Sequence, residues 1–386
     1  MKWFLLAVGA ALVLIGATVL YMLPNAVDRR FNRILPADPY PVRDDVRTWF
    51  QGLFVADLHA DTLLWQRELG VEADHGHVDL PRLLRGNVAL QVFTAVTKVP
   101  TGLNYEANDA HSDMIRWLAV IQRWPWPTWN SLLERALYQS ERLRVAAEAA
   151  HGQLLLVRNQ QDLQALMAER QRGRGVVGAV LGVEGLHCLE GRAENLERLY
   201  EAGYRAVGLA HFFDNEIGGS AHGQEKGGLT ALGAEVVRRA EARGMIIDLA
   251  HASPALFADV IARVTRPPIV SHTGVKGTCG SVRNLSDEQL RAVAAKGGVV
   301  GIGYWDGAVC EPKLANVVRA IVYAVRLIGA EHVALGSDFD GGTTTPFDTT
   351  GIVQLAQALL DAGLTRPEVA LVLGGNVQRL FAQLLP

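Results

Sequence analysis

The sequence lacks an excess of positive charge. Its 386 residues include 37 Lys and Arg against 40 Asp and Glu, for a formal net charge of -3, and no long run of Lys and Arg occurs. A protein that binds a phosphate backbone needs a basic surface. We therefore expect no nucleic acid partner. The composition, 49% hydrophobic and 20% charged, is that of a globular protein with a large core.

Cysteine is scarce as well. The three cysteines are Cys188, Cys279 and Cys310, and no two of them have the CxxC spacing of thiolate metal sites. The absence of CxxC spacing excludes a zinc site built from thiolates. Low-complexity tracts and internal repeats are also absent from the sequence.

One long apolar run is present, at the N-terminus. Residues 4–23 contain no charge over 20 positions, the length that a helix needs to cross a hydrocarbon core. We predict an uncleaved membrane anchor over residues 1–24, a polar linker over 25–48 and one domain over 49–386. The alternative is a cleaved signal peptide, which usually has a shorter apolar core and a small-residue cleavage site. Arg29, Arg30 and Arg33 favour, by charge alone, a domain on the cytoplasmic side.

The domain alternates short Val/Ile/Leu-rich runs with longer amphipathic stretches such as AEVVRRAEARG. This alternation is typical of β/α units around a parallel sheet. The candidate strands are enough for an eight-stranded β/α barrel of TIM type, with one strand to spare. They are LFVADLH, ALQVFTAV, LLLV, GAVLGVEG, AVGLAH, MIIDLAH, PIVSH, VVGIGY and VALGSDFDG.

Ionisable residues close six of these strands. Alone, each is most simply a solvated side chain or a helix cap. In a β/α barrel, however, the carboxyl ends of all strands meet on one face, where the active site is built. Together the group would leave uncompensated charge near a dry core unless a cation bound there. The residues are His59, Asp61, Glu184, His211, His251, His272 and Asp338.

This combination of ligand types indicates which metal binds. Imidazole nitrogen with carboxylate oxygen and no thiolate suits zinc, with cobalt or manganese as substitutes, and differs from an all-oxygen calcium or magnesium site. Two ions, bridged by one carboxylate and sharing a hydroxide, are plausible for this number of ligands.

From about residue 50 to its end, the chain resembles the membrane dipeptidase (renal dipeptidase) family, zinc peptidases built on a β/α barrel of the metal-dependent hydrolase kind. The shared stretches fall in order along the domain: DLHADT, HVDLPRLLRGNVALQVF, GVEG, LAHFFDNEIGGSAHG, GGLTALGAEVV, GMIIDLAHAS, IVSHT, VRNLSD, GSDFDGG and GGNVQRLF.

The resemblance implies a role for each candidate residue. His59 and Asp61 would bind the first of two zinc ions, His251 and His272 the second, and Glu184 would bridge them. His211 matches the histidine that binds and polarises the scissile carbonyl group. Arg283, in VRNLSD, matches the arginine that receives the substrate's terminal carboxylate, and Asp338 matches the aspartate that transfers the proton.

The expected function is therefore zinc-dependent hydrolysis of dipeptides with a free C-terminal carboxylate. One alternative is a related metal-dependent barrel hydrolase that cuts another amide, a lactam or an ester. A second alternative is a membrane-anchored binding protein without catalysis. The complete set of ligands and the presence of Asp338 argue against it. The resemblance also implies a possible homodimer, and leaves open which dipeptides are cut and whether a D-residue is accepted.

Two further expectations concern the periphery of the site. Cys279 and Cys310 resemble a pair that forms a disulfide in secreted mammalian members of the family, which favours an extracytoplasmic domain, periplasmic in a bacterium, against the arginine count. The stretch YWDGAVC lacks a tyrosine that helps to hold the substrate carboxylate in mammalian relatives, and Tyr304 is a candidate replacement.

Overall fold

The computed structural model describes residues 3–4, 22–36 and 39–386. Most of the predicted anchor, residues 1–2 and 5–21, lies outside these ranges. Within them, no helix has both the length and the apolar character needed to cross a membrane. Membrane anchoring therefore stays a prediction.

The molecule is organised around a sheet of nine parallel strands in the order β3-β2-β10-β9-β8-β7-β6-β5-β4. Strand β3 also pairs with β5, so that eight strands close into a barrel and β4 lies beside β5, outside the ring. The strands are β1 Arg33–Ile34, β2 Val55–Ala60, β3 Val88–Val96, β4 Leu154–Leu156, β5 Val177–Glu184, β6 Tyr204–Gly208, β7 Ile246–Asp248, β8 Ile269–Thr273, β9 Val299–Ile302, β10 Val333–Leu335 and β11 Thr344–Thr345.

The prediction of a β/α barrel is confirmed. Each of the nine predicted strands overlaps one of the strands β2 to β10, and the spare strand is β4, from the run LLLV. Barrel strands are buried on both faces, as every residue of β3 and β5 is, and this explains why they read as continuous apolar runs.

Helices follow most of the strands and surround the barrel. Several begin at caps that are readable in the sequence: the Ser286 side chain accepts from the Gln289 N–H while the Gln289 side chain accepts from the Ser286 N–H. The helices are Asp44–Gln51, Leu80–Arg85, Met114–Ile121, Leu132–Ala149, Gln160–Gln171, Asn195–Glu201, Ala231–Ala242, Pro254–Arg263, Asp287–Ala295, Asp306–Val309, Leu314–Ile328, Ile352–Asp361, Arg366–Ala370 and Asn376–Leu384.

The C-terminal helix lies across the amino-terminal end of the barrel. Its Leu380 and Phe381 belong to one buried apolar cluster with Ile269 and Val299, the first residues of β8 and β9. Apolar packing therefore fills this end of the barrel, and the carboxyl ends of the strands are left for the site.

The interval predicted as a linker contains ordered structure. Residues 22–31 are helical, and β1 pairs in parallel with β11, with Arg33 opposite Thr344 and Ile34 opposite Thr345. Residues 22–36, which we call the N-terminal arm, therefore lie on the barrel. Polar composition alone gave no sign of these contacts, because β1 has only two residues.

Candidate metal centre and active site

The predicted site residues converge at the carboxyl ends of the strands. His59 lies in β2, Glu184 is the last residue of β5 and His272 lies in β8. The others follow β2, β6, β7, β8 and β10, in that order: Asp61, His211, His251, Arg283 and Asp338. All eight side chains are buried.

Glu184 lies at the centre of the group. Its Oε1 is 2.9 Å from His251 Nε2, 3.2 Å from His272 Nε2 and 3.7 Å from His59 Nε2. Its Oε2 is 3.0 Å from His211 Nε2. Burial would raise the pKa of Glu184, but His211, His59 and His251 together hold it well below its usual value. One carboxylate thus contacts histidines from four strands.

Asp61 and Asp338 also approach the His59 ring nitrogen that faces Glu184. His59 Nε2 is 3.4 Å from Asp61 Oδ1 and 4.0 Å from Asp338 Oδ1. Burial alone would lower the pKa of His59, but the carboxylates of Asp61 and Glu184 raise it to about 10. Burial raises the pKa of Asp338 well above the usual range, and the carboxylates of Asp61 and Glu184 add to this effect against that of His59.

These residues fit a metal ion on structural grounds. His59 Nε2 is buried and makes no hydrogen bond to any described residue, although three carboxylates surround it. The Nε2 atoms of His251 and His272 lie 3.0 Å apart. Converging imidazole nitrogens and carboxylates of this kind are the donor set of a divalent cation.

Three overlapping triads have their ligand atoms within 4.8 Å of one another. Glu184 belongs to two of the triads and His59 to two, so the potential ligands form one continuous cluster. The triads are His59–Glu184–His272, Glu184–His211–His251 and His59–Asp61–Asp338.

Ser271 orients two of the histidines from behind. Its Oγ lies 2.9 Å from His272 Nδ1 and 3.3 Å from His59 Nδ1, which leaves both Nε2 atoms directed at the carboxylates. The Ser271 N–H donates to Asp248 Oδ1 (2.9 Å), and Thr94 Oγ1 donates to Asp61 Oδ1. Such outer contacts fix the ring orientation of metal-binding histidines.

The backbone is in the left-handed region at two site residues, His251 (φ 61°) and Asp338 (φ 60°). This conformation costs about 1–3 kcal/mol for a residue other than glycine and persists where the surrounding structure imposes it. At both positions it turns the chain just after a short strand, so that the side chain enters the site.

Arg283 lies beside the histidines on the loop after β8. Its Nη2 donates to the main-chain oxygen of His272 (2.7 Å), whereas its Nε makes no hydrogen bond within the described part of the chain. Burial lowers the pKa of this guanidinium, and its carbon lies 5.3 Å from the ring centroid of Trp305. A buried cation with an unused donor is suited to bind an anion.

A cavity of about 910 Å³ opens onto this group, within the size range of ligand sites. Tyr105 lines it, and the Tyr105 hydroxyl accepts from Trp305 Nε1 (3.0 Å). Tyr304, the candidate replacement named above, is instead fully buried between Phe339 and Phe347. Tyr304 therefore packs into the core and does not line the cavity. Tyr105, which does line it, lies about 200 residues away in the sequence, and no sequence motif pointed to it.

Comparison with known proteins gives a family match over most of the chain. A family model described as "Membrane dipeptidase (Peptidase family M19)" matches residues 44–384. Among curated relatives, an uncharacterized protein from the pqqA 5′ region of Klebsiella pneumoniae is 33% identical over 52% of this chain and 80% of that protein. Dipeptidase aclJ of Aspergillus oryzae is 37% identical over 54% of this chain and 51% of that protein.

A solved structure is similar over almost the whole barrel. It is a metallo peptidase from Rhodobacter sphaeroides, liganded with a phosphinate mimic of the dipeptide L-Ala-D-Ala, at a TM-score of 0.70 and 22% identity. The match covers 86% of this chain and 99% of that chain. At this identity the likeness establishes the fold.

Proposed function

The chain belongs to the membrane dipeptidase family, peptidase family M19, and is a metallodipeptidase; on this basis we propose that it hydrolyses dipeptides at a pair of zinc ions. The observation that carries the proposal is the convergence of five potential metal ligands in one cluster of histidines and carboxylates. Arg283 and Asp338 line the cavity that opens onto this cluster. The five are His59, Asp61, Glu184, His251 and His272.

The ligand types support zinc, because they combine imidazole with carboxylate and include no thiolate. When bound, the metal ions would polarise the scissile carbonyl group and lower the pKa of a water molecule. Glu184 would contribute to both positions, because its Oε1 lies 2.9 Å from His251 Nε2, 3.2 Å from His272 Nε2 and 3.7 Å from His59 Nε2. His59 with Asp61, and His251 with His272, would complete the two positions.

Three residues of the chain would act on the substrate. Arg283 binds its C-terminal carboxylate through the free part of the guanidinium, and this restricts cleavage to short peptides. His211 donates a hydrogen bond to the carbonyl oxygen on which negative charge develops. Asp338, whose pKa is raised by burial, takes a proton from the attacking water and passes it to the leaving amine.

Metal analysis combined with activity tests this proposal. The full-length protein is purified in detergent, its zinc per chain is counted, and L,L and L,D dipeptides are assayed before and after chelation. We expect about two zinc ions per chain and cleavage that chelation abolishes and added zinc restores. Bound zinc without cleavage of any dipeptide would point to another amide or ester. An L,D dipeptide belongs in the panel because the Rhodobacter sphaeroides protein binds a mimic of one.

Replacing Arg283 tests the carboxylate contact separately. Arg283→Ala should raise KM for dipeptides by roughly 10- to 100-fold, because a charge-assisted hydrogen bond is lost, while the zinc content stays that of the parent. The KM for dipeptide amides, which lack the carboxylate, should change little in this variant. Equal kinetics for the variant and the parent on free dipeptides would remove Arg283 from the site.

We also propose that residues 4–23 anchor the enzyme in a membrane, with the barrel on the extracytoplasmic side. The bond between Cys279 and Cys310 supports this orientation, because disulfides persist in oxidising compartments. An epitope tag at the C-terminus should be accessible to antibody in bacterial spheroplasts that express the full chain. A tag that is reached only after lysis would reverse the orientation. A homodimer is a further prediction, which light scattering would check.

A further inference from the structure

The N-terminal arm is firmly attached at the mouth of the active-site cavity. Asp28 is buried and its Oδ2 lies 2.7 Å from Arg67 Nε. The Arg33 N–H donates to the Thr343 oxygen (3.1 Å), and Asn32 Oδ1 accepts from the Gly342 N–H (2.9 Å). The last two contacts hold the arm against the loop that follows Asp338, and the first holds it against Arg67.

Side chains of the arm form part of the cavity wall. Val27 and Phe31, on the helical stretch, and Arg33 and Leu35 line the same cavity as Glu184 and Arg283. Ile34, between Arg33 and Leu35, points away from the cavity and is 41% exposed. The alternation is that of an extended chain, in which neighbouring side chains lie on opposite faces. The arm lies before residue 44, where the family match begins.

On the inner side of the arm, the cavity wall is apolar. Val27 packs against a buried cluster that includes Leu64, Trp65, Val96 and Ile115, and these four residues also line the cavity. Together they form what we call the apolar lobe. Val96 is the last residue of β3, so the lobe lies on the β3 side of the barrel.

The apolar lobe and Arg283 follow strands on opposite sides of the barrel. In the closed ring β2-β3-β5-β6-β7-β8-β9-β10, strand β3 stands directly opposite β8, and Arg283 follows β8. A dipeptide with its carboxylate on Arg283 and its scissile carbonyl group at the metal ligands must therefore extend its N-terminal residue toward the apolar lobe.

We infer that the N-terminal arm and the apolar lobe form a subsite for a large apolar side chain on the N-terminal residue of the substrate. This inference rests on the proposed function and deepens it. Burying such a side chain is favourable because it removes apolar surface from water, whereas a glycine or alanine at this position leaves the lobe partly filled.

The test compares two dipeptides that share their C-terminal residue, Leu-Ala and Gly-Ala, on the full-length zinc-loaded enzyme. Leu35→Ala and Phe31→Ala each remove a side chain that the arm contributes to the cavity wall. Ile34→Ala removes a side chain of similar size from the position next to Leu35 without touching the cavity, and is the matched control. For Leu35→Ala and for Phe31→Ala we expect the ratio of kcat/KM for Leu-Ala over Gly-Ala to fall about tenfold. For Ile34→Ala the ratio should stay at the parent's value.

Other outcomes would overturn the inference. They are an unchanged ratio in both Leu35→Ala and Phe31→Ala, an equal fall in Ile34→Ala, or a parent enzyme that prefers Gly-Ala. Melting temperature and zinc content are compared first, and Phe31→Ala, at a 40% exposed position, decides the matter should Leu35→Ala fail to fold.

A parent enzyme that cleaves neither dipeptide would refute the proposed function and not by itself the subsite. The subsite is then judged by binding of phosphinate dipeptide analogues that carry isobutyl or hydrogen at the N-terminal side. We expect a selective, about tenfold, loss of affinity for the isobutyl analogue in Leu35→Ala and Phe31→Ala. Equal affinities of the parent for the two analogues would overturn the subsite as well.

Discussion

At the residue scale, Ser271 connects two histidines that come from different strands. A histidine that binds metal through Nε2 carries its proton on Nδ1, and the Ser271 oxygen is close enough to accept from both His59 and His272. Ser271→Ala removes this acceptor while leaving every ligand in place. We expect zinc affinity to fall by 10- to 100-fold, measured by competition with a chelator of known affinity.

The control for that experiment is Ser140→Ala. Ser140 is also buried, but its hydroxyl donates to the Ala202 oxygen, away from the metal ligands. Its zinc affinity should equal that of the parent. If Ser271→Ala binds zinc as tightly as Ser140→Ala does, then Ser271 does not orient the ligands.

Two tyrosines, Tyr105 and Tyr304, differ in whether their hydroxyl groups can reach a substrate. The Tyr105 hydroxyl lies in the cavity that Arg283 also lines, and we expect it to donate to the substrate carboxylate. Tyr105→Phe should raise KM about tenfold with little change in kcat, because a hydrogen bond to a charged group is lost. Steady-state kinetics on one good dipeptide would measure this change.

Tyr304→Phe is the matched control, since the Tyr304 hydroxyl has no hydrogen-bond partner among the described residues. Its KM should be that of the parent. The opposite pattern, with Tyr304→Phe impaired and Tyr105→Phe normal, would restore the sequence-based interpretation.

At the element scale, the strands were predictable and the connections between them were not. Buried parallel strands are recognisable in the sequence as apolar runs. Strand β5 ends at Glu184, so the position of Glu184 at the carboxyl end of the barrel follows from the apolar run before it. The N-terminal arm and Tyr105 gave no such signal. Both enter the site through long-range contacts, such as Tyr105 with Trp305, that no local pattern encodes.

Asp340 shows how one loop is secured to several elements. Its carboxylate accepts from the His77 N–H (2.7 Å) and from Thr62 Oγ1 (2.8 Å), and it lies 2.8 Å from Arg67 Nη2. Asp340→Ala would leave Arg67 with one buried partner fewer. We expect the free energy of unfolding to fall by roughly 3–5 kcal/mol, measured by denaturant titration of the zinc-loaded protein.

The control for Asp340→Ala is Asp361→Ala. Asp361 also pairs with an arginine, Arg43, but both side chains are largely exposed, so its loss should cost less than about 1 kcal/mol. Equal costs at the two positions would show that Asp340 is not a structural anchor.

At the scale of the whole molecule, one covalent bond joins two loops near Arg283. Cys279 lies on the loop that leads to Arg283, and Cys310 follows the helix that begins after Trp305. The sequence supplied this pair only through resemblance, because three cysteines permit several pairings. The structure confirms the bond and leaves Cys188 as a buried free thiol.

Removing this bond should lower the stability of the whole barrel. The crosslink closes a loop with a sequence separation of 31 residues. Its loss gives the unfolded chain more conformational entropy, which lowers the free energy of unfolding by roughly 3–4 kcal/mol. The double variant Cys279→Ser/Cys310→Ser should therefore melt below the parent in calorimetry at equal zinc content. A non-chelating phosphine reductant serves as the control, since it should lower the parent's melting temperature toward that of the variant and leave the variant unchanged. If parent and variant melt together without reductant, the bond contributes nothing to stability, and zinc and core packing alone hold these loops in place.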